Sequence, residues 1–384
     1  MSGPLLALFA VALGYGTLVP LVPLYLRVGG GADIAWHSGA LPAVFLACAS
    51  LAAPLWGHLS DRVGRQTVIA AGCAGAALAA LPFYLQHGVA QLYAFQALAG
   101  LSFGAVLPAS LAMLYETGDA RSRPRRIAWY GAALLGGYLS GPALGGWIAG
   151  FAEGATAPAE HRAVRLALGV QASAAALALL RVSVGRLPRA VEVHEAAGDA
   201  LRTREALTAL LAAALVALLL GGFEIGTALH LRGPLGFGSR EVAGLFMVCG
   251  ATMALVQLVV LPRVPVSAPR TTWALVLVAI GGAVLVLMPY ARSYAATLGL
   301  AAPLGGALGL AFGLLGLQMA AAGGARRGIA LGAQNAAITA GQAAGSMLGG
   351  ALFAAIGTSA LPALGAGAVA LAMVMRMLSL QRGG

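Results

Sequence analysis

Residues 57–65 read Gly57-His58-Leu59-Ser60-Asp61-Arg62-Val63-Gly64-Arg65, a short charged stretch set between two apolar runs, 38–57 and 67–86. Each run is about 20 residues long, the length of helix that crosses a hydrocarbon core roughly 30 Å thick. Charge between two such helices belongs at a membrane surface, because it costs free energy anywhere deeper. The glycines permit a tight turn between the helices. Asp61 suits the positive N-terminal end of a neighbouring helix, and Arg62 and Arg65 suit Asp61 or anionic headgroups.

Outward from this stretch the pattern repeats. Apolar blocks between charged or Gly/Pro-rich breaks predict six spans in the first half, 4–26, 38–57, 67–86, 90–115, 126–151 and 163–184. Six more follow at 206–231, 241–262, 271–290, 294–320, 328–353 and 358–380. The composition agrees: of 384 residues 60% are hydrophobic and 9% charged, and the mean hydropathy is +0.88. A soluble domain carries roughly 25% charged residues, so a soluble enzyme is excluded and the fold class is an all-α membrane protein. The 55 glycines fit, because small residues let helices approach closely in lipid.

The formal charge of +11 comes from arginine, with no lysine. The arginines stand at helix ends and in short loops, not in a stripe interleaved with aromatics, so they anchor loops and no nucleic-acid partner is expected. Cys48, Cys73 and Cys249 fall inside apolar blocks without metal-ligand spacing and read as small core hydrophobes, so no metal site is expected. Met1–Leu26 lacks a basic n-region and is too long for a signal h-region; it reads as the first span. Neither a phosphate-binding loop nor a nucleophile–His–carboxylate set is found, so the reading is not an enzyme, with no cofactor, and energy drawn from an ion gradient.

The only long polar interruption, Arg186–Glu205, divides the chain into an N-terminal bundle 1–185, a cytoplasmic linker 186–205 and a C-terminal bundle 206–384. With the N-terminus inside, seventeen of the 23 arginines face the cytoplasm, Arg121, Arg123, Arg125 and Arg126 foremost, which places both termini there. Trp36, Trp129 and Trp147 stand near span ends. The halves also repeat. Leu24-Tyr25-Leu26-Arg27 returns as Leu229-His230-Leu231-Arg232, and Gly39, Arg65, Gly100 and Gly104 meet Gly244, Arg270, Gly305 and Gly309 at the same offset of 205. Gly137, Gly141, Gly145 and Gly146 meet Gly341, Gly345, Gly349 and Gly350 at an offset of 204. Two parallel six-helix repeats are the build of a transporter that rocks one bundle against the other.

At the 57–65 loop the chain resembles the major facilitator superfamily, whose cytoplasmic signature of Gly, Leu, Asp, basic, Gly, Arg it matches between the right helices. The resemblance implies two pseudo-symmetric six-helix bundles and a conformational latch at Gly57, Asp61, Arg62, Gly64 and Arg65; a plain topogenic loop is the competing reading. In the second half the counterpart of Asp61 is Val266, and only Arg270 survives of the motif's charges. Span five carries Gly137-Tyr138-Leu139-Ser140-Gly141-Pro142-Ala143-Leu144-Gly145-Gly146 and resembles the antiporter motif of the family's exporters. Its glycines recur on one face, and Pro142 removes a backbone hydrogen bond. Gly137, Gly141, Pro142, Gly145 and Gly146 therefore read as a gate helix, against an ordinary small-residue interface. Span four departs from the pattern, with Gln96 where exporters commonly place an Arg before the Gly at 100.

Glu224, within Gly221-Gly222-Phe223-Glu224-Ile225-Gly226, is the one acidic residue clearly inside an apolar span. An ionised carboxylate there costs roughly 2.5–3.5 kcal/mol unless paired or protonated. It is the candidate for proton coupling, and several drug and amine antiporters resemble this chain in placing a carboxylate here. A structural, protonated Glu is the competing reading. Tyr15, Thr17, Gln96, Tyr138, Gln334 and Asn335, at or near membrane depth, are the candidates for the substrate cavity; spans one, four, seven and ten usually line it in this family, which favours Tyr15. Gln342 reads as a helix–helix hydrogen bond, and His230 as an interfacial, hydrated histidine. The expectation is a monomeric, proton-coupled exporter of a small molecule, a drug or a metabolite such as a siderophore, working by alternating access in a bacterial inner membrane. Its partners are the substrate, protons and the lipid bilayer. An importer or facilitator of a nutrient is the alternative, and a non-transporting receptor rests on no positive feature.

Overall fold

In hydrocarbon a backbone N–H or C=O finds no water, so a chain of this composition has to satisfy its amides within helices. The computed structural model describes residues 2–28, 34–79, 89–116, 123–151, 157–184, 203–265, 268–322 and 327–380. Arg121, Val266 and most of the expected linker 186–205 lie outside the described residues. Among the described residues there are twelve α-helices and no strand. The first six are α1 (Ser2–Val28), α2 (Ile34–Val63), α3 (Arg65–Leu78), α4 (Val89–Glu116), α5 (Arg123–Gly150) and α6 (Ala157–Val184). The second six are α7 (Arg204–Arg232), α8 (Ser239–Leu255), α9 (Arg270–Leu287), α10 (Tyr294–Ala322), α11 (Arg327–Ile356) and α12 (Ala360–Leu380).

Each helix falls on one expected span. Seven stretches of the described residues are long and apolar enough to cross a membrane, the last covering α11 and α12 together, and shorter apolar runs lie at Gly3–Thr17 and Gly169–Ser183. The third span, expected to reach 86, is described as helix to Leu78. Leu51, Leu55, Leu207, Leu211 and Leu258 are exposed, as apolar side chains facing lipid would be. At α7 the helix start is capped: the Thr203 hydroxyl accepts from the Ala206 amide at 3.2 Å, and Glu205 in the first turn complements the helix dipole. α8 continues through a π turn, Val256–Val260, and a 3-10 turn, Leu261–Arg263.

The chain clusters into two units. Unit 1 holds Met1–Ile34, Val44–His194 and Gly238–Ala243; unit 2 holds Ala35–Ala43, Glu195–Phe237 and Gly244–Gly384. In unit 1, α1 packs on α5, α6 and α4, and α3 packs on α4 and α6. In unit 2, α7 packs on α11, α12 and α10, and α9 packs on α10 and α12. The second scheme is the first with six added to every helix number.

The repeated glycines are the contact points of both schemes. A Cβ built on Gly137 or Gly141 would fall 2.6 Å from the Phe9 carbonyl oxygen or 2.7 Å from that of Leu13, both on α1. On α11 the counterparts Gly341 and Gly345 face the carbonyl oxygens of Ala214 and Leu218 on α7, again 205 residues on. Gly100 and Gly104 of α4 lie on the Phe45 and Ala49 carbonyls of α2, and Gly305 and Gly309 of α10 on those of Cys249 and Met253 of α8. Gly146 of α5 meets the Ser239 carbonyl, and Gly350 of α11 that of Ala35, each with a would-be Cβ at 2.6 Å. In lipid, packing of this closeness replaces the missing hydrophobic drive between helices.

The 57–65 stretch differs from its sequence reading in one respect. α2 runs past Gly57 to Val63, and the bend falls at Gly64 alone, whose φ of 96° is open to glycine. Gly57 is thus inside a helix, with nothing within 4 Å of a would-be Cβ. Helix continues there because no left-handed residue is required before 64, and the Ser60 hydroxyl donates to the Gly57 carbonyl at 2.7 Å within it.

These contacts predict that Gly345→Val, forced against backbone, destabilises the protein by about 1–3 kcal/mol, whereas Gly57→Ala leaves the melting temperature in detergent unchanged. Equal melting of the two variants would show that the crossings tolerate side chains.

Candidate functional site

Polar groups on apolar helices mark the places where function outweighs the cost of desolvation. In unit 1 the close approach of α1 and α5 at Gly16 and Gly141 sets Tyr15 and Tyr138 on either side of the crossing. Their rings stand edge to face, centroids 5.7 Å apart. Tyr15 also lies on Phe45 of α2 at 4.9 Å, Phe45 on Phe103 of α4 at 5.3 Å, and Phe103 on Tyr138 at 6.2 Å. Four helices thus converge on one aromatic group, with geometries that favour ring–ring attraction. Gln96, on α4 and one helical face with Gly100 and Phe103, is buried. Thr17 is buried, its hydroxyl donating to the Leu13 carbonyl at 2.7 Å within its own helix, so this bond serves the helix.

In unit 2 the carboxylate meets its partner. Gln342 of α11 donates through Nε2 to Glu224 Oε2 of α7 at 3.1 Å, and Glu224 is half-buried. The sequence reading of Gln342 as an interhelical hydrogen bond is met, with an acid as acceptor. Gln342 is also the repeat counterpart of Tyr138, directly following Gly341 as Tyr138 follows Gly137. Phe223 and Phe246 pack edge to face at 5.9 Å beside the acid, and Cys249 of α8 lies within reach of its charge. Gln334 is buried on α11, its amide 3.9 Å from a would-be Cβ on Gly316 of α10. Asn335 is exposed, and its carbonyl accepts from the Thr339 hydroxyl at 2.8 Å. His230, read from sequence as hydrated, is buried instead.

The loop residues stand apart from both groups. Arg65, the first residue of α3, pairs with Asp61 at 2.5 Å and donates to the Ser60 hydroxyl. Asp61 and Arg62 are exposed. On α5, Gly137, Gly141, Pro142, Gly145 and Gly146 are all buried, with Pro142 Cδ against Gly16. Arg126 near the start of α5 is buried too, its Nε donating to the Leu114 carbonyl of α4 at 2.7 Å. Sequence reasoning missed Phe45, Phe103 and Phe246: a phenylalanine in an apolar helix carries no signal of its own. It also named Glu224 and Gln342 without joining them, being 118 residues apart.

An all-α membrane protein of two repeats, with polar and ionisable side chains held on apolar helices, is built as a secondary transporter. The chain belongs to the Major Facilitator Superfamily, whose family model matches residues 5–324. It is accordingly a transporter and not an enzyme.

Among curated proteins it is similar to the Quinolone resistance protein NorA of Staphylococcus aureus, 26% identical over 37% of this chain and 36% of that one. It is also similar to the Tetracycline resistance protein, class B, of Escherichia coli, 32% identical over 35% of this chain and 34% of that one. The chain thus spans about a third of the length of these curated relatives. Among solved structures, a bacterial homolog of the human lysosomal transporter Spinster shares the fold over 98% of this chain and 96% of that one, with a TM-score of 0.79 and 14% identity. The human organic anion transporter MFSD10 (TETRAN) matches over 98% of both chains, with a TM-score of 0.70 and 18% identity.

The Gln342–Glu224 contact predicts a coupling free energy of about 1 kcal/mol in a double-mutant cycle of Glu224→Leu and Gln342→Leu, the range of polar pairs between membrane helices. The check is denaturant unfolding of the four proteins in mixed micelles, and simple additivity would mean that the bond contributes nothing.

Proposed function

We propose that this protein exports a small molecule in exchange for protons by alternating access, with Glu224 as the residue that takes up and releases the proton. The observation that carries the reading is the Glu224–Gln342 hydrogen bond inside apolar helices. An acid at such depth is stable when neutral or when donors meet its charge, so it has two competent states. Gaining a proton makes one carboxyl oxygen a donor while the other still accepts, so the bond from α11 loses its charge assistance and weakens. A transmembrane potential supplies roughly 2.3 kcal/mol per charge per 100 mV, sufficient to drive accumulation of a solute.

Within unit 1 the aromatic rings offer flat apolar contact to an amphiphilic drug, and within unit 2 the carboxylate offers an opposite charge to a cationic one. The partial similarity to two drug-resistance proteins supports efflux of a drug, and a metabolite such as a siderophore fits the same features. In this reading Tyr15, Gln96, Tyr138, Gln334 and Asn335 touch substrate, and Thr17 supports them. The Asp61–Arg65 pair works as a conformational latch with Gly57, Arg62 and Gly64, and the glycine face of α5 as a gate. The two bundles are 1–185 and 206–384 joined by a cytoplasmic linker, and a monomer sits in the inner membrane with both termini in the cytoplasm. The second reading is a facilitator or importer of a nutrient without antiport, favoured by Gln96 standing where exporters resembling this chain commonly carry Arg.

Purified protein in liposomes with an imposed pH gradient and a trapped pH dye tests the proposal against lipophilic cations, metallophores, sugars and amino acids. Solute-triggered proton movement is expected, reduced at least tenfold in Glu224→Gln. Solute uptake without proton movement would support the facilitator. Inverted vesicles give direction: an exporter accumulates solute in them when their interior is acidified.

A further inference from the structure

Three side chains climb α7 in steps of three residues, Glu224, Thr227 and His230, each step falling about 60° short of a full turn, so that His230 stands about 120° round the helix from Glu224. Residues three apart are neighbours on a helix surface, and six residues rise about 9 Å, so the series runs from the acid almost to the helix end at Arg232. Thr227 is fully buried and His230 is 3% exposed. Yet the Thr227 hydroxyl oxygen and both His230 ring nitrogens have no hydrogen-bond partner among the described residues. Buried polar atoms are nearly always satisfied, and those with no protein partner are satisfied by water or a ligand. Leucine or alanine, abundant elsewhere in α7, would fill these positions without that cost.

We infer that His230 and Thr227 form a water-linked proton path that loads Glu224 from the C-terminal end of α7. This rests on the reading of Glu224 as the proton carrier and adds the route by which the proton arrives. Neutral imidazole has one nitrogen that accepts and one that donates. A proton from hydronium binds the accepting nitrogen of His230. The opposite nitrogen releases its own proton to water; the Thr227 hydroxyl takes that proton and gives up the one it held, which ends on a Glu224 carboxylate oxygen. The ring then returns to its first tautomer. The net change is one proton moved from water to the acid, with no change of oxidation state.

The surroundings allow this. Packing of Gly281 against Leu219 and of Gly226 against Leu361 fixes the levels of α9 and α12. Their charged residues, Arg270 and Arg376, then lie toward the other end of α7. The one charged residue of α11, Arg327, also lies toward that end, with Gly341 and Gly345 facing Ala214 and Leu218. The titratable residue of α10 is Tyr294, whose hydroxyl lies against Gly244. Tyr290 and Arg292, between α9 and α10, are exposed. From α8, Cys249 is near the acid itself; in its first turn Arg240 is exposed and lies over the Phe151 ring at 4.7 Å, and Glu241 is half-buried. Arg232, buried on α7, points about 200° round the helix from His230.

The test follows the proton on the full-length protein in nanodiscs, by time-resolved infrared difference spectroscopy after a downward pH jump. A protonated-carboxyl band absent from Glu224→Gln is expected. In His230→Ala and Thr227→Val the band should rise at least tenfold more slowly to the same final amplitude, and added imidazole should restore the rate of His230→Ala. His230→Gln, which keeps size and hydrogen bonding but cannot relay a proton, should be slow as well, and covers the case in which the alanine variant fails to fold. A wild-type rate in the His230 variants, with the band still lost in Glu224→Gln, would overturn the path alone. A band that persists in Glu224→Gln, or none in the wild type, would overturn the coupling reading and the path with it.

Discussion

Lipid removes the force that assembles soluble bundles, since a leucine loses nothing by facing an acyl chain. What remains is dispersion and the weak attraction between Cα–H groups and carbonyl oxygens, and both fall off steeply with distance. Helices therefore hold one another where their backbones come closest. Here that occurs where glycine of one helix lies on a carbonyl of the next, with no room for a Cβ. The spacing of Gly137 and Gly141, or of Gly341 and Gly345, keeps these contacts on one face. That fixes how far each helix is rotated, and every neighbouring side chain inherits its direction from the contact.

The same frame carries different chemistry in the two units. Tyr138 follows one of these glycines in α5, and at the matching place in α11 stands Gln342. Tyr15 corresponds to Leu220 and Phe103 to Leu308, and Cys249 offers its carbonyl where Phe45 offers its own. Glu224 has Val19 for a counterpart. One unit thus concentrates rings that contact each other, and the other concentrates an acid and an amide. A carboxylate at depth needs a donor at hand, and in unit 2 Gln342 supplies it.

The fold was legible because hydrocarbon imposes length and apolarity on every helix, and both can be counted. Twelve blocks in the sequence become twelve helices among the described residues with little displacement, and the constant offset of the glycines is recovered as a constant offset of contacts. Loops were less legible. Gly57 invited a turn, but of the two glycines flanking that stretch Gly64 alone takes a positive φ, since one left-handed residue suffices to reverse direction. The site was legible where a residue violated its surroundings, as Glu224 does. It was hidden where a residue conformed, as Phe45 and Phe103 do, or where the partner lay more than a hundred residues away, as with Gln342. The burial of His230 was not foreseeable either. Its place near a helix end allowed water or protein, and tertiary packing chose protein.

The glycine contacts also bear on how such a protein changes over generations. Positions 137, 141, 341 and 345 admit no side chain, so heritable variation there is largely closed off. The residues immediately after Gly137 and Gly341 suffer no such restriction, yet their direction is held by the glycine beside them. A new side chain at 138 or 342 would arrive already aimed at the interior, with the scaffold undisturbed. A frame frozen at alternate places and permissive between them lets a lineage vary the side chains at 138 and 342 one substitution at a time, without first having to survive a collapse of the fold.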